Sequence, residues 1–416
     1  MELYRQLKRS NKFLLLLTVF IIPLLGATGN FGYEQIKVFF FLILISLSGF
    51  LWMGKGFRWN GISRLGGIFI LALFLTSAVG INPMQSFLGT QPYFQGVVLY
   101  GYLYLFFLLV SYTKIKLETW AYILTGSATL VGILAIKDWV LLNIFYQQIP
   151  TYAGRVVSTF GQPNFYGGYL LLILPFFNFL LGKKKRWFFI LSGFLITVLA
   201  IILSESRVAF LLLSLLLLGW LIWELPTRRL AFIISGFILM FTFVFAVFFG
   251  AGWLEKEFRD PYNELNPDLT KVGVEKRYYF WPVLWELITE KPLTGYGLEN
   301  IAPTFSNYFV TNKHILFEEN LKIKPYLFGL KDLYLDRSHN FLLDLLMFSG
   351  ILGLLGWLGL VVLLFKKLIQ KVDGRRKNVL MVCLIIYLIW TAFQNQSVVH
   401  LIYFWLIAGL VNQDKV

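Results

Sequence analysis

The chain of 416 residues has one cysteine, Cys383, and three histidines. A lone thiol excludes a disulfide framework and a cysteine-based metal site. The segments between the hydrophobic runs contain no Asp-x-Asp, His-x-x-His or His-Glu-x-x-His pattern, so no metal site is expected. Walker-type and dinucleotide glycine motifs are missing as well, which argues against ATP- or NAD-driven work and leaves no cofactor to expect. No repeat of 20–50 residues and no low-complexity linker is visible. Charge is scarce too: only 14% of residues are Asp, Glu, Lys or Arg.

What is present is apolar. Hydrophobic residues make up 58% of the chain, with 42 Phe and 13 Trp. Twelve runs approach the length that a bilayer core of about 30 Å demands: 13–28, 35–53, 63–79, 97–112, 117–136, 165–182, 187–203, 207–223, 230–250, 340–365, 378–393 and 397–411. With the N-terminus inside, 22 of the 37 Lys and Arg fall on the cytoplasmic side. Of the 15 on the outer side, 11 lie in one segment, 251–339. That is the positive-inside pattern. The formal net charge of +15 is therefore topology and attraction to anionic membrane lipids, and nucleic acid is not an expected partner. The basic flank of the first run reads as a retained anchor rather than a signal peptide, because Gly26-Ala27-Thr28-Gly29 makes a poor cleavage site. The expected fold is an all-α integral membrane protein of about twelve transmembrane helices. It divides into spans one to nine (1–250), an extracytoplasmic lid (251–339) and spans ten to twelve (340–416).

Three outer segments are long enough for chemistry. Loop 80–96 opens with a turn-rich stretch, Gly80-Ile81-Asn82-Pro83. Loop 137–164 ends in Ser158-Thr159-Phe160-Gly161-Gln162-Pro163-Asn164. In the lid, Tyr278, Trp281, Leu284, Leu287 and Ile288 share one side of a predicted helix over 274–290, which is expected to lie on the membrane or cap the bundle. Pro282 predicts a kink or a fresh start there, and Lys291-Pro292 with Gly295-Tyr296-Gly297 ends the helix. The acidic stretch from Glu255 to Asp268 is interleaved with Lys256 and Arg259 and reads as a solvated face.

Ionisable groups at membrane depth are costly and mark function. Ser204-Glu205-Ser206-Arg207 joins two spans with almost no loop, placing Arg207 at an outer span mouth. Arg207 is either a snorkelling anchor or an anion site, since a guanidinium fork suits phosphate oxygens. Arg277 and Arg155 invite the same weighing. The densest cluster is Asp336-Arg337-Ser338-His339-Asn340 at the start of span ten, with Asp344 a turn deeper. Asn340 and Asp344, spaced i, i+4, are expected to couple on one helix face. His339 is either a helix-start residue bonded to a headgroup or a proton carrier near neutral pH. His314 and His400 have no such company and read as bystanders.

Taken in order, these pieces resemble the O-antigen ligase and polymerase superfamily of bacterial membrane glycosyltransferases. The resemblance runs over Asn82-Pro83 with Ser86-Phe87 and Gly89, Ser158 to Asn164, and Ser206-Arg207. It continues through Arg277, Trp281, Pro292, Gly295 and Gly297 to His339-Asn340 and Gly350-Ile351-Leu352-Gly353. The resemblance implies a GT-C-like helical fold in the cytoplasmic (inner) membrane, with its site facing the periplasm or cell exterior. It implies a metal-independent transferase that moves a glycan from an undecaprenyl-diphosphate-linked donor to the hydroxyl of a lipid or glycan acceptor. By that likeness Arg207 and Arg277 hold the diphosphate and His339 acts on or positions the acceptor. Arg155, Asn164, Glu205, Arg337, Asn340 and Asp344 support them. An O-antigen ligase is the favoured expectation; a polymerase or an O-linked protein oligosaccharyltransferase is the alternative. The chain stops soon after span twelve, which counts against the protein-glycosylating option. A flippase is disfavoured, because no inverted repeat is seen and the polar cluster lies at the outer boundary rather than the midplane.

Overall fold

The computed structural model describes residues 2–28, 31–53, 56–57, 59–181, 186–224, 274–311, 335–372 and 374–413. The ninth hydrophobic run (230–250), the acidic stretch 255–268 and His314 lie outside them. The described residues are mostly helical, and the other eleven runs each coincide with a helix. The helices are α1 (Glu2–Ile21), α2 (Tyr33–Trp52), α3 (Gly61–Ala78), α4 (Pro83–Leu88), α5 (Val97–Thr113), α6 (Leu117–Asn143), α7 (Pro163–Leu181), α8 (Trp187–Leu203), α9 (Arg207–Glu224), α10 (Val274–Glu290), α11 (Ile301–Thr311), α12 (Phe341–Lys371), α13 (Gly374–Phe393) and α14 (Val398–Asn412). Six of these (α2, α3, α6, α7, α12 and α13) are long and apolar enough to cross a bilayer, and α5, α8, α9 and α14 are shorter apolar helices. Phe39, Ile43 and Leu47 on α2, Ile68 and Leu71 on α3, and Leu355, Val362 and Ile369 on α12 are exposed. Large outward apolar surfaces of this kind belong against lipid, and the chain is a multi-pass membrane protein.

The bundle is organised around α14, every residue of which is buried. A helix that is apolar all round has no face for solvent and sits at the centre. It packs on α5, while α3 lies along α12 and α6, α7 and α8 pack on one another. Trp405 of α14 meets Phe69, Tyr104 and Phe107 with ring centroids 5.7–6.4 Å apart, in the range where aromatic pairs attract.

Several element ends differ from expectation. The first helix stops at Ile21, and Pro23 sits in the short 3-10 turn that follows, Ile22–Leu24, because proline cannot continue an α-ladder. Helix α6 runs seven residues past its apolar run to Asn143, and α12 extends to Lys371. Hydropathy marks the lipid, whereas helix ends are set by caps and packing. Asn82-Pro83 begins a helix rather than a bare turn. The Asn82 side chain accepts from the Gln85 amide at 3.2 Å, and Pro83 takes the first helical position, where a missing N–H costs nothing. In the lid, α10 runs through Pro282 without a break, and Pro282 is exposed, away from the packed face. The helix does not start afresh at Pro282.

Candidate functional site

Chemistry-bearing side chains gather where α2, α5, α7, α9, α12 and α14 begin and α3, α8 and α13 finish, the end of the bundle that the charge pattern places outside. Helix α10 lies across it: Phe280, Leu284 and Leu287 are buried, and the Trp281 indole N–H donates to the Ser338 carbonyl at 2.9 Å. This helix caps the bundle, as its periodicity implies.

Arg277, on that cap, and His339, at the start of α12, are brought within electrostatic reach of each other. Arg277 is buried, and its Nη1 donates to the Phe393 carbonyl at the end of α13, at 3.0 Å. His339 is partly buried in left-handed backbone, φ 59°. Burial, with the Arg277 charge beside it, pushes the His339 imidazole down to about 3. Near neutral pH it therefore stands uncharged next to a fixed cation.

The residues around His339 divide their labour differently from expectation. Asn340 and Asp344 do not bond each other through their side chains. Asn340 caps α12, accepting from the Leu342 and Leu343 amides at 3.0 Å, and donates to the Ala392 carbonyl at 3.1 Å. Asp344 accepts from the Ser338 amide at 2.7 Å. Orphan amides at a helix start outcompete an i, i+4 side-chain pair, because each unpaired buried donor is costly. Asp344 thus fixes the backbone that carries His339, not its imidazole.

Arg337 has a partner that its sequence neighbours do not suggest. Its guanidinium forms a buried ion pair with Glu299, bonds Gln95 at 3.4 Å, and lies over the rings of Tyr93 and Phe348 at 4.5 and 5.1 Å. Glu299 also accepts from the Gln95 amide at 3.1 Å. The early outer loop, the lid and the approach to α12 meet at this pair. Breaking a buried pair by removing one partner leaves an uncompensated charge, so Arg337 acts as a strut. Burial also lifts the Asp336 carboxyl above the usual range; Arg337 opposes that, and the Glu299 charge adds to it.

Arg155, Glu205 and Arg207 form a second group. Arg155 belongs to a two-strand hairpin, Thr151–Tyr152 against Arg155–Val156, and its Nη1 donates to the Glu205 carbonyl at 3.2 Å. Arg207 opens α9, is exposed, and lies within electrostatic reach of Arg155. The first turn of α7 joins the two groups. Asn164 donates to Gln394 at 3.2 Å, and Tyr166 lies within reach of Arg155 and Glu205. His400 is fully buried, its Nδ1 accepting from the Ser397 amide at 3.1 Å in a capping box, which is a structural use.

Several functional positions escape the sequence reading. Lys37, fully buried within α2, donates to the Thr159 carbonyl at 2.6 Å, and Glu34 accepts from Ser397 and the Val398 amide at 2.9 and 2.7 Å. Together they staple α2 to the Ser158–Asn164 loop and to α14. A charge inside an apolar run was the signal. Gln394-Asn395-Gln396-Ser397, buried throughout, had no such signal beyond being polar between two runs.

The glycine-rich stretches of lid and span ten interlock. Helix α12 is broken at Gly350, where φ is 56° and ψ −157°. Segment 292–297 fills the break. Tyr296 and Gly297 amides donate to the Met347 and Phe348 carbonyls at 2.8 and 2.9 Å, and Ile351 and Leu352 amides donate to Pro292 and Leu293 at 2.8 and 3.4 Å. A Cβ on Gly350 would meet the Leu293 carbonyl at 2.4 Å, and one on Gly295 the Met347 carbonyl at 2.6 Å. Span ten is therefore not one uninterrupted helix. The lid is welded into it by backbone bonds, which holds Trp281, Arg277 and His339 in one frame.

Comparison with curated proteins finds no match for this chain. Residues 192–358 match the family model described as O-antigen ligase, a stretch that takes in Arg207, Arg277, His339 and the Gly350 break. Over that segment the chain is similar to the O-antigen ligase and polymerase superfamily.

Proposed function

We propose that the protein transfers a glycan from an undecaprenyl-diphosphate-linked donor to an acceptor hydroxyl at the outer face of the cytoplasmic membrane, as an O-antigen ligase. The observation that carries this reading is Arg277, buried on α10 and tied to the end of α13, standing within electrostatic reach of His339. A departing diphosphate gathers negative charge in the transition state, and a preorganised guanidinium outside bulk water, such as that of the buried Arg277, stabilises it more than the ground state. Arg277 takes one part of the diphosphate and Arg207, at the exposed mouth of α9, the other. His339 takes the acceptor proton as the new glycosidic bond forms. Arg155, Asn164 and Glu205 shape the floor, Asn340 and Asp344 hold His339, and Arg337 holds the lid.

The direct test is the purified protein with undecaprenyl-diphosphate glycan and lipid acceptors, with products resolved by mass. The expected product is acceptor plus glycan, with undecaprenyl diphosphate released. Products that lengthen by donor units alone would assign a polymerase, and no transfer to any acceptor would overturn the reading.

Arg277→Lys and Arg207→Lys are each expected to lose roughly 10–1,000-fold in turnover, reaching up to the range for a lost preorganised donor, because a point ammonium cannot replace a planar fork. Near-normal turnover at normal expression would remove the arginines from the diphosphate site.

The orientation has its own test. The sole cysteine, Cys383, is buried, so introduced cysteines are read against little background. An impermeant thiol reagent applied to intact cells is expected to label position 285 on the exposed side of α10 and to miss position 186. Labelling at 186 refutes the outward-facing site.

A further inference from the structure

At the opposite end of the bundle lies a cleft of about 280 Å³ between the start of α3 and the ends of α12 and α14, lined by Asn60, Gly61, Lys366, Lys367, Gln370 and Asn412 among others. Among the described residues neither Asp nor Glu lines it. Its parts are held in place. Lys367 donates to the Asn412 carbonyl at 2.7 Å, Asn60 donates to the Asn412 side chain at 2.8 Å, and Asn412 in turn donates to Ser111 at 3.2 Å. Lys366 is exposed at the rim. The α3 capping box uses the Asn60 side chain on the Ser63 amide, which leaves the Gly61 and Ile62 N–H groups of the first turn pointing out of the helix start. A Cβ on Gly61 meets only Leu363, at 3.8 Å, so the space beside it is open.

The cleft also has a depth register. Val362, Lys366 and Gln370 follow one another at i, i+4 and i+8 along α12, and Val362 is exposed to lipid. Trp59, half-exposed beside Asn60, sits where indoles settle at headgroup level. The cleft therefore opens where acyl chains give way to headgroups. Among the described residues its lining offers a cation, helix-start amides and amide side chains, and no carboxylate. Those are the donors that a phosphodiester monoanion uses.

We propose that this cleft binds the phosphate of an anionic glycerophospholipid from the leaflet it faces. The assignment to the inner leaflet rests on the orientation above; the binding itself does not, nor does it rest on the transferase reading.

The test uses the full chain in nanodiscs of phosphatidylcholine with increasing phosphatidylglycerol, counting retained lipid by native mass spectrometry. Wild type is expected to retain phosphatidylglycerol in excess of its share of the bilayer. Lys366→Gln should lower that affinity roughly fivefold, the worth of one basic residue at an anionic surface, and Lys366→Arg should preserve it. Gly61→Asp is the sharper variant. An acid in the first turn of α3 favours the helix, yet it puts a negative charge in the cleft, so excess retention should vanish while thermal stability in pure phosphatidylcholine holds. Equal retention in wild type, Lys366→Gln and Gly61→Asp overturns the site. Inorganic phosphate in pure phosphatidylcholine that stabilises wild type as much as phosphatidylglycerol does, and fails to stabilise Gly61→Asp, assigns a soluble anion instead and overturns the lipid.

Discussion

His339→Ala is expected to lose roughly 10²–10⁴-fold in turnover while still binding donor, the range typical of a removed general base. The resting site explains why the effect should be read at the level of the complex. Burial and the neighbouring Arg277 hold the imidazole down to about 3, so free protein carries it neutral throughout pH 6–9. It is ready to accept a proton but weakly basic. A bound diphosphate brings negative charge that offsets Arg277 and raises the imidazole's basicity when the acceptor must be deprotonated. Between pH 6 and 9, kcat/KM should therefore show no limb that belongs to His339, whereas kcat should show a limb on the acid side that the Ala and Gln variants lack. If His339→Gln restores turnover, the residue positions the acceptor and the base lies elsewhere. Asp344→Asn should give a partial loss, because it weakens the hold on the Ser338 amide and so on the backbone that aims His339. The same depression has a stability consequence. An unfolded histidine binds its proton near 6.5, and the folded one binds only near 3. Below about pH 6.5 the unfolded state holds the extra proton, so this contribution is intact above that pH and is lost as pH falls towards 3. Thermal unfolding of wild type between pH 7 and pH 5 should show a steeper decline than that of His339→Gln.

Gly350→Ala is expected to cost on the order of 3 kcal/mol or more, with loss of folded protein in membranes as the readout. Two terms add. The backbone at Gly350 lies in a region that only glycine occupies comfortably, and the new Cβ would meet the Leu293 carbonyl and the Pro292 oxygen at 2.4 and 2.6 Å, both backbone atoms that cannot swing aside. Relief requires segment 292–297 to lift, which breaks the four backbone hydrogen bonds that seal α12. In the bilayer environment those freed groups have no water to turn to. Gly353→Ala is the contrasting variant. There the backbone is not left-handed, and the obstruction is the Ser349 hydroxyl, which can rotate, with the Ser349 Cβ at 2.6 Å, which needs a local shift of the helix but no lifting of segment 292–297, so the loss should be smaller. Equal behaviour of the two would show that the break at Gly350 is not what holds the lid.

How legible the site was in the sequence differs residue by residue. His339 and Arg207 stood out because each is an ionisable group set against an apolar boundary, and a bilayer makes such placements expensive, whereas Arg277, on a lid helix, entered through the family resemblance. Lys37 was equally legible by that rule and was missed, since a charge inside a long apolar run is easily read as a tolerated interruption. Glu299 was not legible. Its partner Arg337 is 38 residues away, and the lid offers many acids of similar appearance. The pairing of Asn340 with Asp344 was misread because helical spacing says which side chains can meet, not which backbone amides compete for them.

The sequence alone determined the helical membrane character, the order of the apolar runs and the superfamily resemblance, and its Lys and Arg bias sets the expectation that the polar clusters lie outside. These depend on composition and period, which are local properties. Only the tertiary structure decided that α14 is the central helix while α2 and α3 face lipid, that α12 breaks at Gly350 to take in the lid, and that Arg337 is a strut while Arg277 stands beside His339. Each of those depends on which groups are left without a partner once the helices pack, and the need to satisfy buried donors and charges is a property of the assembled bundle.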